Sequence, residues 1–413
     1  MLSPVHLKLE LAIRGLRLGE DLRGDDLFRR PVGARDYASR DLELLLPEEI
    51  LANCPVGTAA SSHSPFVLNV ENDRFMLTRE NVGADREETV PVKVVPQPAF
   101  YAKKTSHGTP MWQVATVHGG YISIDPASTC GFAVQGMACK FCTLEGAQTK
   151  SAPSARPVDE VLEVVRAAFE EGVVEFVYFN TGYFEAEDGG FAFLQPYVEA
   201  VKQRFDTLVA VQTNPPKTNG WIDRTYASGV DALSYSVEIY DPAILSSICR
   251  GRDELIGRER YYEALEHAAK IFPSGTVWSD LVVGLEPAES TRAGIEHLVS
   301  LGVLPVLSLF RPLDETALKD YPLPDPDEVA PLYALLYKTV KDAGISVQWM
   351  RDLGYTITPI EARFFAGEDA RLDVAVSSFY RSRLGGRAAR SLSRLRRRLR
   401  VKQVSESFDS SQL

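Results

Sequence analysis

The chain has 413 residues, 45% of them hydrophobic and 24% charged, with a formal charge of −11. This composition excludes a disordered chain and a disulfide-built miniature, and the net charge argues against a general nucleic-acid binder. The length predicts two or three domains, or one large α/β barrel with extensions.

Residues 1–45 mix apolar and charged positions without a clean period and read as a peripheral helix and loop. Lys8, Glu10 and Arg14 interrupt any signal-peptide core. Residues 65–124 read as β-rich: Phe66–Val70, Arg74–Leu77, Pro91–Val95 and Tyr121–Ile124 are short apolar runs separated by Asn, Asp and Gly.

From Pro157 the pattern changes to strands alternating with helices, the mark of parallel βαβ units. The predicted strands are Val174–Phe179, Thr207–Thr213, Ala232–Glu238, Thr276–Val283, Val303–Phe310 and a weaker Ser346–Trp349. The predicted helices are Pro157–Glu171, Phe191–Arg204, Asp223–Ser228, Arg258–Ile271, Ser290–Leu301 and Asp327–Ala343. With Tyr121–Ile124 as the opening strand, the fold class is α/β: a partial (β/α)6 TIM-like barrel over residues 115–350. An N-terminal β-containing extension (1–114), a helical C-terminal segment (351–380) and a basic tail (381–413) flank it. Functional groups then belong at the carboxyl ends of the strands.

The tail holds ten basic residues and no acid between Arg381 and Lys402, with Glu406 and Asp409 after them. Leu392, Leu395 and Leu399 are spaced three and four apart, which predicts a short amphipathic basic helix. A solvated tail is the simplest reading. An acidic surface, the chain's own included, anionic lipid and nucleic acid are the other partners its charge suits. The most apolar run, Leu298–Phe310, is too short and too broken by Ser, Gly and Pro to span a membrane. The chain is expected in the cytoplasm, where thiols stay reduced.

Three of the five cysteines crowd into one loop directly after the first barrel strand: Cys130, Cys139 and Cys142. Three thiolates suit zinc or an iron–sulfur cluster. Structural zinc usually takes four closed ligands, and the nearest further candidate, His118, lies on the far side of a strand. Cubane clusters normally take four cysteines, so three leave one iron open to an external ligand.

The loop resembles the radical S-adenosylmethionine (radical SAM) superfamily, whose usual signature is Cys-x3-Cys-x2-Cys with an aromatic before the last cysteine. Phe141 fills the aromatic position. The first spacing here is eight residues instead of three, a lengthening that costs less than about 1 kcal/mol of loop-closure entropy. Expanded spacings of this kind, together with the Thr105–Pro110 stretch, look like radical SAM proteins of nitrilase-associated gene clusters.

The later strand ends extend the resemblance toward the biotin synthase and hydrogenase-maturase branch. Asn180, Thr181, Gly182 and Tyr183 occupy the place of a Gly-rich turn that presents backbone groups to the SAM amine. Gln212, Thr213 and Asn214 stand at the rim before Pro215 and Pro216. The resemblance assigns ribose binding to Glu238, beside Ser236, and SAM-carboxylate binding to Arg260 in the pair Glu259–Arg260. A carboxylate accepts from vicinal hydroxyls, and a guanidinium fork matches a carboxylate. Val283, Gly284 and Leu285 match a run that packs on adenine. His118, Glu185, Asp280 and Arg311 fall near predicted strand ends, where they are candidates for the substrate cavity and otherwise structural. Cys249 is a candidate hydrogen-atom donor or second-cluster ligand, and otherwise an inert buried thiol.

The implied activity follows. Cys130, Cys139 and Cys142 hold a [4Fe–4S] cluster whose fourth iron is chelated by SAM, and a one-electron donor such as flavodoxin or ferredoxin reduces it. The resulting 5′-deoxyadenosyl radical abstracts hydrogen from a small-molecule substrate. Two rivals come from other classes: a zinc-stabilised barrel that acts as a hydrolase or scaffold, and a catalytically silent adaptor.

Overall fold

A computed structural model describes residues 3–23, 28, 41–80, 88–127, 129–143, 155–347, 355–368 and 387–398 apart from 389 and 393. The chain opens with helix α1 (Pro4–Arg14), started by the Ser3 side chain, which accepts from the His6 amide. Strands β1 (Arg17–Leu18), β2 (Leu42–Leu46), β3 (Ile50–Cys54), β4 (Phe66–Glu71), β5 (Arg74–Arg79), β6 (Glu88–Pro91) and β7 (Lys93–Val94) follow. They form two small sheets, ordered β1-β4-β5-β6 and β3-β2-β7.

Helix α1 is not peripheral. One side sends Leu7 and Leu11 into the core of the small sheets, while Val5, Leu9, Ala12 and Ile13 join the main core. Residues three and four apart on a helix share a face, so an eleven-residue helix can serve two cores at once.

The main sheet has seven strands ordered β14-β13-β12-β11-β10-β9-β8. A hairpin of β8 (Ala115–His118) and β9 (Tyr121–Ile124) is antiparallel. After the short helix α2 (Gly131–Val134) come α3 (Val158–Glu171), β10 (Phe176–Asn180), α4 (Phe191–Arg204), β11 (Leu208–Gln212), α5 (Gly220–Ala227) and β12 (Ala232–Ser234). Helices α6 (Pro242–Ile248), α7 (Arg250–Leu255) and α8 (Arg258–Ile271), strand β13 (Val277–Val283), helix α9 (Ala288–Ser300), strand β14 (Leu304–Leu309) and helix α10 (Pro326–Asp342) complete it.

Strands β9 to β14 are parallel throughout, which gives the six-strand partial barrel expected from the βα alternation. The expected strand at Ser346–Trp349 does not form at Ser346 and Val347, and its remainder lies outside the described residues. Between residues 355 and 368 the chain forms one short 3-10 helix, Glu361–Ala366. Among the described residues no helix is long and apolar enough to cross a membrane.

The small sheets bridge the two edges of the open barrel. At one edge the Gly119 amide donates to Glu43 on β2 at 3.3 Å. At the other, Arg311, just past β14, donates to the Ala12 carbonyl at 2.9 Å and to Asn53 on β3. Thr105, in the stretch before β8, donates to Glu160 in the first turn of α3 at 2.9 Å, so that stretch fastens a helix to the extension.

The described part of the basic tail is helical and lies on the chain's own acidic groups, not free in solvent. Arg390 and Arg394 pair with Asp206, and Arg397 pairs with Asp231 at 2.5 Å and donates to the Val230 carbonyl. Leu392 and Leu395 stay exposed, while Leu399 lies outside the described residues. Asp231 keeps a second partner, Lys202, at 2.7 Å. Arg397→Gln is therefore expected to cost about 1.5–3 kcal/mol, the range for a hydrogen bond to a charged group, measured as a lowered urea midpoint in the full chain.

Candidate active site

The carboxyl ends of the parallel strands bring most of the expected residues to one mouth. The cysteine loop leaves β9 there and is fastened to the end of β10. The Tyr183 amide donates to the Cys130 sulfur at 3.3 Å, the Gly131 amide donates to the Tyr183 carbonyl at 2.8 Å, and the Phe132 ring stacks on Tyr183 at 4.2 Å. Gly182 makes this approach possible: a Cβ there would lie 2.7 Å from the Cys130 Cβ and 3.1 Å from its sulfur. Gly182 thus serves the cysteine directly, a nearer reason for glycine than contact with a bound amine.

The second half of the loop docks elsewhere. The Lys140 amide donates to the Ile248 carbonyl at 3.0 Å, placing Cys139 against the turn between α6 and α7. Cys139 is buried with Ile239, Leu245, Ile248, Cys249, Val282, Leu285 and Phe310, and Phe141 and Cys142 pack against that cluster. The Cys142 amide donates to the Cys139 carbonyl at 2.9 Å. A hydrogen bond from the Cys249 thiol, aided by the Arg252 guanidinium, holds the Cys139 thiol below the ordinary range. Burial, together with Cys139, pushes Cys249 up.

Strand β12 ends at Ser234, shorter than the predicted run, yet Glu238 returns to the sheet through a single bridge to Leu281. Its amide donates to the Asp280 carbonyl at 2.9 Å and its carbonyl accepts from Val282 at 2.7 Å. Glu238 takes a φ of 68°, a left-handed conformation uncommon for a residue with a Cβ, and such strain concentrates at binding sites. Burial raises its carboxyl to about 8, against the pull of Arg252.

A polar row crosses the barrel below the mouth. Tyr178 donates to Gln212, Gln212 to Ser236, Ser236 to Asp280 at 2.8 Å and Ser308 to Asp280 at 3.0 Å. Burial raises the Asp280 carboxyl above its usual range. Alternation along each strand puts these groups on one face, opposite Val177, Val209 and Leu281.

Several expectations need correction. His118 ends β8 at the foot of the barrel, across the hairpin from Tyr121, where its ring meets Thr116 and Tyr121. Arg311 is used up on the extension through Ala12, Asp41 and Asn53. Glu185 is exposed on the loop after β10. Arg260 directs its guanidinium to the Pro216 carbonyl, Asn219 and Glu263, so the arginine that reaches Glu238 is Arg252, at 2.9 Å. Thr213 holds the Gly189 carbonyl, and Asn214 accepts from Tyr261 at 3.0 Å. Val283 faces the helices with the main core, whereas Val282 and Leu285 join the apolar cluster at Cys139. Gly284 lies against Pro324, which a Cβ would meet at 2.5 Å.

The residues present fit the implied cluster and SAM. Cys130, Cys139 and Cys142 are free thiols, the donor type that iron–sulfur clusters take. The Thr181 hydroxyl, beside Asn180 at the mouth, is buried with no hydrogen-bond partner. A buried hydroxyl in that state costs free energy unless a ligand satisfies it. Among the described residues no three His, Cys, Asp or Glu groups stand close enough to hold a single metal ion.

Comparison with known proteins yields one curated relative of note. The chain is 29% identical over 114 residues to bacteriochlorophyllide c C-7(1)-hydroxylase of Chlorobaculum limnaeum, a match covering 27% of this chain and 28% of the hydroxylase. Among solved structures, methylornithine synthase is 13% identical, with 54% of this chain and 63% of that one covered and a TM-score of 0.42. The [FeFe]-hydrogenase maturase of Carboxydothermus hydrogenoformans is 14% identical, with 54% and 51% covered and a TM-score of 0.45. A radical SAM methyltransferase from Sphaerobacter thermophilus is 14% identical, with 71% and 81% covered and a TM-score of 0.41. Residues 130–298, from the first loop cysteine into α9, match the model of the radical SAM superfamily.

Proposed function

We propose that the chain is a radical SAM enzyme in which Cys130, Cys139 and Cys142 hold a [4Fe–4S] cluster. When bound there, the cluster and SAM supply one-electron cleavage of the sulfonium and hydrogen abstraction from a small-molecule substrate. The observation that carries this reading is the docking of a three-cysteine loop at the carboxyl ends of parallel strands, next to Glu238 and the unpartnered Thr181 hydroxyl.

The chain's own contribution is placement and exclusion. Tyr183 and Gly182 fix Cys130, and the α6–α7 turn fixes Cys139. Glu238 offers acceptor oxygens for ribose hydroxyls, and the apolar wall of Ile239, Val282, Leu285 and Phe310 suits the face of an adenine. Below it, the row from Tyr178 to Ser308 receives the substrate, with the Asp280 carboxyl the acceptor in that row. The hydroxylase relative, whose name is that of an enzyme of a bacteriochlorophyllide, supports a small molecule over a macromolecule. The electron donor is a low-potential carrier of the flavodoxin or ferredoxin kind.

The test is turnover. Protein reconstituted anaerobically with iron and sulfide is expected to form 5′-deoxyadenosine from SAM and dithionite, and faster when the right metabolite is added. A protein that takes up zinc without sulfide and forms no 5′-deoxyadenosine would instead be the zinc-stabilised barrel. One that binds cluster and SAM but never cleaves SAM would be the adaptor.

A further inference from the structure

The α6–α7 turn presents a cationic group that no part of the proposed reaction has yet used. Residues Cys249-Arg250-Gly251-Arg252 run directly beneath the second half of the cysteine loop. Gly251 has no room for a side chain: a Cβ would lie 2.5 Å from the Phe132 ring and 2.8 Å from the Met137 carbonyl. That closeness, with the Lys140 amide on the Ile248 carbonyl at 3.0 Å, brings Cys139 alongside Cys249 and Arg252.

Arg252 is held from three sides. One terminal nitrogen donates to the Ser236 carbonyl at 2.6 Å and to the Tyr261 hydroxyl at 2.9 Å. The other donates to Glu238 at 2.9 Å. Its Nε is buried and has no hydrogen-bond partner. A guanidinium drawn out of water and left with an idle donor is an expensive way to make a structural ion pair. Among the described residues its one carboxylate partner is Glu238, which burial disfavours as an anion. The arrangement leaves positive charge on the turn that packs against Cys139.

We propose that Arg252 is a positioning residue for Cys139 that tunes the cluster, its fixed charge making electron uptake easier. The inference rests on the cluster reading above. Adding an electron adds one negative charge to the cluster, and a cation near a ligand sulfur in a medium of low dielectric stabilises that state more than the oxidised one. Arg252 itself neither gives nor takes a proton.

The experiment is a potentiometric titration of the reconstituted full chain without SAM or substrate, followed by electron paramagnetic resonance of the reduced cluster, with iron and sulfide counted. Arg252→Lys, which keeps the charge, is expected to reduce close to wild type. Arg252→Met, which keeps the bulk and loses the charge, is expected to show a tenfold smaller reduced-to-oxidised ratio at the wild-type midpoint. For a one-electron couple that is about 59 mV toward more negative potential. Loss of cluster in Arg252→Met with retention in Arg252→Lys also supports the proposal, since charge is then what the site requires.

Three results would overturn it: Arg252→Met reducing at the wild-type potential, both variants losing the cluster alike, or SAM binding weakening with the potential unchanged. A wild-type chain that takes up no iron and sulfide sinks the underlying reading instead, and that outcome is visible before any variant is made.

Discussion

Replacing Cys130, Cys139 or Cys142 with alanine, one at a time, is expected to leave a folded chain that shows no iron–sulfur absorbance after anaerobic reconstitution. Each thiol is attached to a different support: Cys130 to β10 through Tyr183, Cys139 to the α6–α7 turn, and Cys142 to Cys139 through one backbone hydrogen bond. None stands in for another, so loss of one leaves two ligands for four irons. Cys54→Ala is the control, because Cys54 sits in the separate core of the small sheets.

Gly182→Ala extends the same expectation without touching a thiol. The added Cβ would meet the Cys130 Cα at 2.8 Å and Cβ at 2.7 Å, and both are rigid parts of the loop, so Cys130 itself must move. The measured result should be cluster loss comparable to Cys130→Ala. Full iron and sulfide in Gly182→Ala would mean that Cys130 is not a ligand, and full retention in any of the cysteine variants would overturn the assignment.

The barrel was legible because parallel strands buried on both faces read as apolar runs, and helices between them carry their own start signals. Pro157 and Pro326 with acids behind them do open α3 and α10. Strand β12 was predicted four residues too long, since Tyr235 and Val237 are as apolar as a strand while the backbone has already left the sheet. Helices α6 and α7 were missed, although Asp241 before Pro242 is a good cap, its side chain accepting from the Ala243 and Ile244 amides.

Positions of site residues were legible to the strand end and no further. Cysteine spacing and strand ends bring Cys130 and Glu238 to the mouth because local sequence sets both, whereas Asp280 lies mid-strand in the row below it. Local sequence does not set which arginine turns inward. Arg252 and Arg260 lie eight residues apart around the start of α8, and the choice between them is made by Ser236, Tyr261, Pro216 and Asn219, of which only Tyr261 adjoins either in sequence. The signal that favours Arg252 is Gly251 before it, which lets that turn approach the loop. Arg311 failed for a related reason: its partners Ala12, Asp41 and Asn53 lie some 260–300 positions earlier.

That long-range contact makes Arg311 the position of largest expected effect on stability. Its side chain and that of Asp41 are 7% and 6% exposed, and they pair directly. Breaking a buried pair by removing one partner costs about 3–5 kcal/mol, because the remaining charge stays desolvated and loses this counter-charge. Arg311→Met should approach that figure in urea denaturation and also strip donors from the Ala12 and Asn53 carbonyls. The double replacement Arg311→Met with Asp41→Leu should recover much of the loss, since apolar groups of similar volume replace buried ion pairs at little cost. Because Arg311 ties β14 to the extension that closes the barrel's open side, the single variant should also expose the α1 region to protease before the βα core. A variant of unchanged stability that fails to turn over substrate would return Arg311 to the substrate cavity, the role its place after β14 first suggested.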